Sequence, residues 1–260
     1  MNSKPFKEEL IHTQKVSVII PAYNSASTLK EAIDSVLDQG VEVEIIVMDD
    51  ASKDNTLEVL KPYNDKIKIF TALKNQGVAY SRYHGIRHAS HEWIAFLDSD
   101  DAWNPGKLKH QLQMCLEKDA LICATARELA NEHGESLNRI LEVKDKITYQ
   151  DILKTNSITN SSILMRKEVA LEVPLFDSSL HEDYLMWLTL LKKYGYAIGI
   201  NEPYVRYRIS STSKSGNKLK SAKMHFNTQR AFNIPLIQVM FNMIPYAYNG
   251  LKKHGRLKRK

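Results

Sequence analysis

Asp98-Ser99-Asp100-Asp101 places three carboxylates within four residues, directly behind the apolar run EWIAFL at 92–97. Like charges this close repel unless a cation or a set of donors compensates them. A hard divalent ion does so with few protein ligands: Mg²⁺ or Mn²⁺ takes one or two carboxylates and completes its shell with water and phosphate oxygens. The plainer alternative is a solvated acidic turn. A second pair, Asp49-Asp50, ends another apolar run and leads into Ala51-Ser52-Lys53-Asp54-Asn55. Capping chemistry explains such a stretch, but a carboxylate aimed into a cleft also accepts the imide N–H of uracil, a donor that cytosine lacks at that ring position. Glu182-Asp183 opens a helical pattern, and an acidic first turn by itself reads as a response to the helix dipole. Arg206, Arg208 and Lys214 border a Ser/Thr/Lys/Gly-rich segment, 210–217. They suit phosphate oxygens if that loop closes over a ligand, and equally suit a solvated strand edge. No HExxH pattern occurs, so no zinc site is expected. Cys115 and Cys123 are read as buried or idle reduced thiols.

These groups need elements to carry them. VSVII at 16–20, ending at Pro21, VEIIVM at 43–48, Ile67–Phe70 and 92–97 read as buried strands. Helical spacing separates them, with Leu29, Ala32, Ile33, Val36 and Leu37 on one face before Gly40, a short helix through Leu57, Val59 and Leu60, and another over 78–89. Strands alternating with helices give an α/β fold, a mostly parallel central sheet flanked by helices on both faces. Ligands of such sheets lie beyond the strands' carboxyl ends, where Pro21-Ala22-Tyr23, Asp49-Asp50 and Asp98-Ser99-Asp100 would meet. Further on, a helix is expected over 107–118, strands over 120–126 and 162–166, a polar connection over 131–150, a helix over 183–194 ended by Gly195, and a strand over 204–208.

Composition excludes disorder: of 260 residues 43% are hydrophobic and 25% charged. The first fifteen residues lack an apolar h-region, which argues against a secretory signal or membrane anchor and for the cytoplasm. The formal net charge is +6, and Lys252, Lys253, Arg256, Lys258, Arg259 and Lys260 supply as many positive charges by themselves. Nucleic-acid binding would rest on that tail alone and is not expected. Residues 231–248 are apolar but carry Asn233, Pro235, Gln238, Asn242 and Pro245, which suits an interfacial segment better than a spanning one. With the basic tail behind it, the segment could lie on an anionic inner membrane face. The alternative is a C-terminal helix packed on the body. Truncation near residue 230 is expected to leave a folded domain.

VSVIIPAYN, EIIVMDDASKDNT, NQGVAYSRYHGIRHA, EWIAFLDSDDAWNPGKL and HEDYLMWLTLL, in that order, resemble the motif series of family 2 glycosyltransferases of the GT-A fold, and span residues 16–194. The resemblance implies a GT-A domain over 1–215, with a nucleotide-sugar-binding half at 16–118 and an acceptor-binding half at 119–215, and a helical extension with a basic tail at 216–260. It implies that Pro21, Ala22 and Tyr23 hold base and ribose, that Asp50 bonds the base, and that Arg82 and Arg208 help bind the nucleotide-sugar. Asp98 and Asp100, flanking Ser99, match the DxD motif, with Asp100 the ligand of Mn²⁺ or Mg²⁺. Asp183 matches the general base of inverting members. The implied activity is sugar transfer from a nucleotide-diphosphate donor, with UDP-sugars in first place, to a glycan or lipid-linked glycan acceptor in cell-envelope polysaccharide synthesis. A non-catalytic nucleotide-sugar-binding protein is the alternative. A DxD phosphohydrolase of the haloacid-dehalogenase type answers poorly: it wants Thr or Val where Ala102 stands, and its motif strand lies near the start of its fold.

Overall fold

Side chains of β1 (Lys15–Ala22) alternate between two apolar layers, Val16, Val18 and Ile20 facing one and Ile19 the other. The same alternation separates Ile45 and Val47 from Ile46 and Met48 on β2 (Glu42–Asp49), and it sets Trp93 and Ala95 opposite Ile94 and Phe96 two strands later. A period of two sends neighbours to opposite faces, so strands covered on both faces read as unbroken apolar runs. The remaining strands are β3 (Ile67–Thr71), β4 (Trp93–Phe96), β5 (Ala102–Trp103), β6 (Ile122–Ala130), β7 (Ser136–Leu141), β8 (Lys146–Thr148), β9 (Ile163–Arg166) and β10 (Tyr196–Arg208). The structure, a computed structural model, describes residues 10–174, 180–209 and 218–255.

The sheet runs β3-β2-β1-β4-β9-β6-β10-β5. The first four strands are parallel, β9 is antiparallel to both its neighbours, and β6 and β10 are parallel again. Over one face lie α1 (Leu29–Leu37), the short α2 (Thr56–Leu60) and, past α3 (Val78–His88), α4 (Lys107–Lys118). The other face is covered by α3, α5 (Tyr149–Lys154), α6 (Lys167–Leu171), α7 (Glu182–Tyr194) and parts of α8 (Lys218–Ala231) and α9 (Leu236–Gly255). This is the expected α/β architecture.

Three expectations change. First, β1 does not stop before Pro21 but continues through it to Ala22. Strand β4 pairs with β1 only as far as Phe96 opposite Ile19, so Pro21 lies past the end of that neighbour and its missing N–H leaves no ladder bond unmade. Second, the polar stretch 131–150 contains β7 and β8. β7 is mostly solvent-exposed beside β6, and its polar sequence suits that. β10 begins at Tyr196, and its register shifts around Pro203 divide one strand into two stretches that read separately. Third, α8 and α9 pack into the core rather than standing apart from it: His225, Thr228 and Gln229 are buried, as are Ile234 and Val239 beyond residue 230, so truncation there is expected to open the core. The segment 210–217, with Lys214, and the last five residues of the basic tail lie outside the described residues.

Candidate active site

The loops after β1 and β2 lock together at the sheet's carboxyl rim. The Asn24 N–H donates to Ser52 Oγ at 2.9 Å, Lys53 N–H to Asn24 Oδ1 at 2.8 Å, and Ser25 N–H to Thr56 Oγ1 at 2.8 Å. Pro21 and Ala22 end β1 beside this lock, and Tyr23 stands out from it, 44% exposed. Asp50 is buried and accepts the Gln76 and Gly77 N–H groups at 2.7 Å each, which clamps the loop leading into α3. A carboxylate has about four lone-pair directions, so these two bonds leave it some accepting capacity.

Beyond β4, Asp98, Ser99, Asp100 and Asp101 each meet a different environment. Asp98 pairs with the buried Arg82 of α3, whose Nη1 also donates to Glu182 Oε1 at 2.9 Å. Asn160, with its amide oxygen toward the guanidinium, accepts from it at 2.8 and 3.1 Å. Burial works against the charge on Arg82, but Asp98 and Glu182 outweigh it and raise its hold on the proton. Ser99 Oγ lies 2.8 Å from Ser25 Oγ, tying this turn to the loop after β1. Asp101 is buried and accepts from Ser161 Oγ at 2.6 Å and from the Arg208 N–H at 3.0 Å. Burial, then the charges of Asp100 and Asp98, push its carboxyl well up.

Asp100 reaches the surface of the cleft. Desolvation on its protein side and the Asp98 charge raise its carboxyl to about 6. Among the described residues no side chain bonds it, and no cluster of three His, Cys, Asp or Glu could cage a metal ion. One crowded, uncommitted carboxylate fits a Mn²⁺ or Mg²⁺ ion whose other ligands are phosphate oxygens and water. His84 and His88 share a face of α3 but are engaged with Tyr80 and Phe70 rings. Cys115 and Cys123 are buried free thiols.

Asp183 sits in the first turn of α7, next to Glu182. Its Oδ1 accepts the Tyr184 N–H at 2.7 Å and its Oδ2 accepts Asn156 Nδ2 at 3.1 Å. Burial, then the neighbouring Glu182 charge, raise its carboxyl. Arg208 Nη2 donates to Glu31 Oε2 of α1 at 2.7 Å, and Arg206 pairs with Glu31 Oε1 at 3.2 Å. Both arginines are therefore braced against α1 at one side of the rim.

The structure thus brings Asp98, Ser99, Asp100 and Arg82 together with the Glu182-Asp183 turn, and sets Pro21, Ala22, Tyr23 and Asp50 along the adjoining loops. Sequence reasoning missed Asn156, Asn160, Ser161 and Glu31. The first three lie in TNSITNSS, whose density of Asn and Ser just before the β9 run was the available signal.

The model of the family described as Glycosyl transferase family 2 matches residues 17–172. A Bacillus subtilis protein named as a teichuronic acid biosynthesis glycosyltransferase, TuaG, is 32% identical over 92% of this chain and 96% of its own length. The Escherichia coli UDP-Glc:alpha-D-GlcNAc-diphosphoundecaprenol beta-1,3-glucosyltransferase WfgD is 34% identical over 92% of this chain and 95% of its own. Among solved structures, S. aureus TarS 1-349 in complex with UDP-GlcNAc superposes with a TM-score of 0.70 at 19% identity, covering 95% of this chain and 76% of that one. The Pyrobaculum calidifontis mannosyltransferase PcManGT, in complex with GDP-Man and Mn²⁺, gives 0.66 at 15% identity, over 93% and 75% of the two chains. The fold is that of the GT-A glycosyltransferases.

Proposed function

Because the chain belongs to glycosyl transferase family 2, we propose that this glycosyltransferase moves a sugar from a UDP-sugar to a hydroxyl of a glycan carried on a lipid diphosphate. We place the transfer in cell-envelope polysaccharide synthesis, with inversion at the anomeric carbon. The name of WfgD and the UDP-GlcNAc complex of TarS support the donor and acceptor classes. One observation carries the reading: a single buried guanidinium, Arg82, joins Asp98 to Glu182, and so sets the strand-end carboxylates beside Asp183.

In this reading Pro21, Ala22, Tyr23 and Asp50 hold the nucleoside, Asp98 and Ser99 lie along the ribose and diphosphate, and Arg208 braces the phosphate side. Asp183 accepts the proton of the acceptor hydroxyl while its oxygen bonds to the anomeric carbon. The bond from that carbon to the diphosphate oxygen breaks on the opposite side and UDP departs, so one displacement inverts the centre. A carboxylate of raised proton affinity is a stronger base once ionised. Asp100 would hold Mn²⁺ or Mg²⁺, which when bound would supply the charge that neutralises the diphosphate.

Transfer assays with UDP-glucose, UDP-GlcNAc and GDP-mannose on a synthetic GlcNAc-diphospholipid test it, the product's linkage being read by NMR. We expect transfer from a UDP-sugar, an inverted linkage, and a loss in Asp183→Asn of about 10²-fold or more. Binding of every donor without transfer would leave a nucleotide-sugar-binding protein. Transfer from GDP-mannose alone, or a retained configuration, would overturn the donor or the mechanism.

We also propose that α9 seats the enzyme on anionic lipid, where such an acceptor resides. Ile237, Met240, Phe241, Ile244 and Tyr248 are each more than 60% exposed and recur every three or four residues, while Val239 and Asn242 are buried on the opposite side. Basic residues follow directly in the sequence. Among the described residues no helix is long and apolar enough to cross a membrane.

A further inference from the structure

Asn156 follows the last turn of α5, where the Thr155 N–H donates to Asp151 O at 3.2 Å. Arg127 Nη1 holds the next carbonyl, Ser157 O, at 2.9 Å, and Ile158 is buried. The backbone is pinned on both sides, so the side chain is not placed by slack in the loop. Nδ2 donates to Asp183 Oδ2 at 3.1 Å, whereas Oδ1 is shut away from solvent and has no hydrogen-bond partner among the described residues. An asparagine kept for structure is bonded at both ends, since a buried carbonyl left unmet is costly. Turning the amide over offers no relief, because it would set Oδ1 against the carboxylate. Among the described residues, the one bond this amide makes is to Asp183.

We propose that Asn156 is a positioning residue for Asp183, its Nδ2–Oδ2 hydrogen bond fixing the carboxylate plane together with the Tyr184 N–H on Oδ1. The inference rests on the reading of Asp183 as the base. A donor to a carboxylate favours its ionised form, so Asn156 opposes burial and the Glu182 charge, which raise the Asp183 carboxyl. Among the described residues, the other charged or titratable groups facing Asp183 are His181 at the N-cap of its own helix, Arg82 from α3 and Arg127 from β6. Without the amide the carboxylate is freer to turn and takes up its proton at higher pH.

The test uses the full-length protein labelled with ¹³C-carboxyl aspartate, the Asp183 resonance being identified by its absence from Asp183→Asn. Asn156→Ala should raise the titration midpoint by about one pH unit, a tenfold change in proton affinity. Asn156→Asp, which preserves the shape, should raise it further by adding a second carboxylate. With a UDP-sugar and a GlcNAc-diphospholipid, kcat should fall about tenfold at pH 7 with the donor KM unchanged, and the acid limb of the turnover profile should move with the midpoint. An unmoved midpoint in both variants, each folded by circular dichroism, overturns the proposal. If Asp183→Asn keeps full turnover while Asn156→Ala still moves the midpoint, the failure lies with the base reading and the Asn156–Asp183 coupling stands. Loss of turnover in Asp183→Asn with an unmoved midpoint in Asn156→Ala sinks the positioning role alone.

Discussion

At Asp98, Asp100 and Asp101 three identical side chains have three different sets of neighbours. Arg82 occupies the first, Ser161 and the Arg208 main chain occupy the third, and the second faces the cleft with its carboxyl raised to about 6. A divalent ion would be drawn to the carboxylate that no side chain among the described residues has engaged. Asp100→Asn is therefore expected to weaken Mn²⁺-dependent UDP binding about tenfold or more, while in EDTA the variant and the native protein bind UDP with the same low affinity. Calorimetry in the two buffers measures this directly, and native binding unaffected by EDTA would remove the metal from the site. For Asp183 the sign of the pH dependence follows from its raised carboxyl. The working form is ionised, so turnover should fail on the acid side at a higher pH than an ordinary aspartate would give.

Among the elements, β2 shows how the end of the sheet remote from the site is fastened. Glu44 accepts from Ser17 Oγ of β1 at 2.5 Å, from the Ser90 N–H and Oγ at 2.8 Å each, and from Lys68 of β3. Burial alone would raise its carboxyl, but the bonds from Lys68, Ser17 and Ser90 bring it down to about 2. A folded value below the unfolded one means stabilisation that is complete above the unfolded value of 4.5 and is lost as pH falls toward 2. Glu44→Gln should accordingly cost about 1–2 kcal/mol at pH 7, after discounting for solvent screening, and much less near pH 2.5. Urea unfolding at both pH values decides it: an equal loss at each would assign the effect to shape rather than charge. UDP binding should not change, because Glu44 is at the opposite end of its strand from Asp49-Asp50.

On the scale of the whole molecule, the C-terminal helices are bonded to the helix that carries the proposed base. The His181 N–H donates to Thr228 Oγ1 at 3.2 Å, Gln229 Nε2 lies 3.0 Å from the Tyr184 hydroxyl, and Asn242 Nδ2 donates to Gln229 Oε1 at 2.8 Å. The buried His225 ring is stacked between those of Tyr184 and Tyr246. One face of this hairpin thus completes the core and the other presents an apolar stripe. Truncation cannot separate the two roles, but substitution on the outer face can. Ile237→Glu combined with Phe241→Glu should reduce cosedimentation with phosphatidylglycerol vesicles about tenfold or more, leaving the circular dichroism and turnover on a short-chain soluble acceptor unchanged. Undiminished sedimentation at low salt would place membrane attachment elsewhere or exclude it.

Local chemistry in the sequence determined much of this protein. Apolar runs of four to six residues specified the buried strands, helical spacing specified the elements between them, and acidic groups directly behind those runs marked the carboxyl rim of the sheet. Each of these depends on near neighbours along the chain, which is why it was legible there. Tertiary structure alone decided which carboxylate Arg82 would take, that Asn156 and Ser161 would stand beside aspartates many residues away, and that Asn160 would meet Arg82. It also decided that Pro21 could remain inside β1, because β4 stops short of it, and that α9 would bury one face and expose the other. Those outcomes depend on where strands end and how helices cross. Burial and long-range contact set them, and the spacing of residues along the chain carries neither.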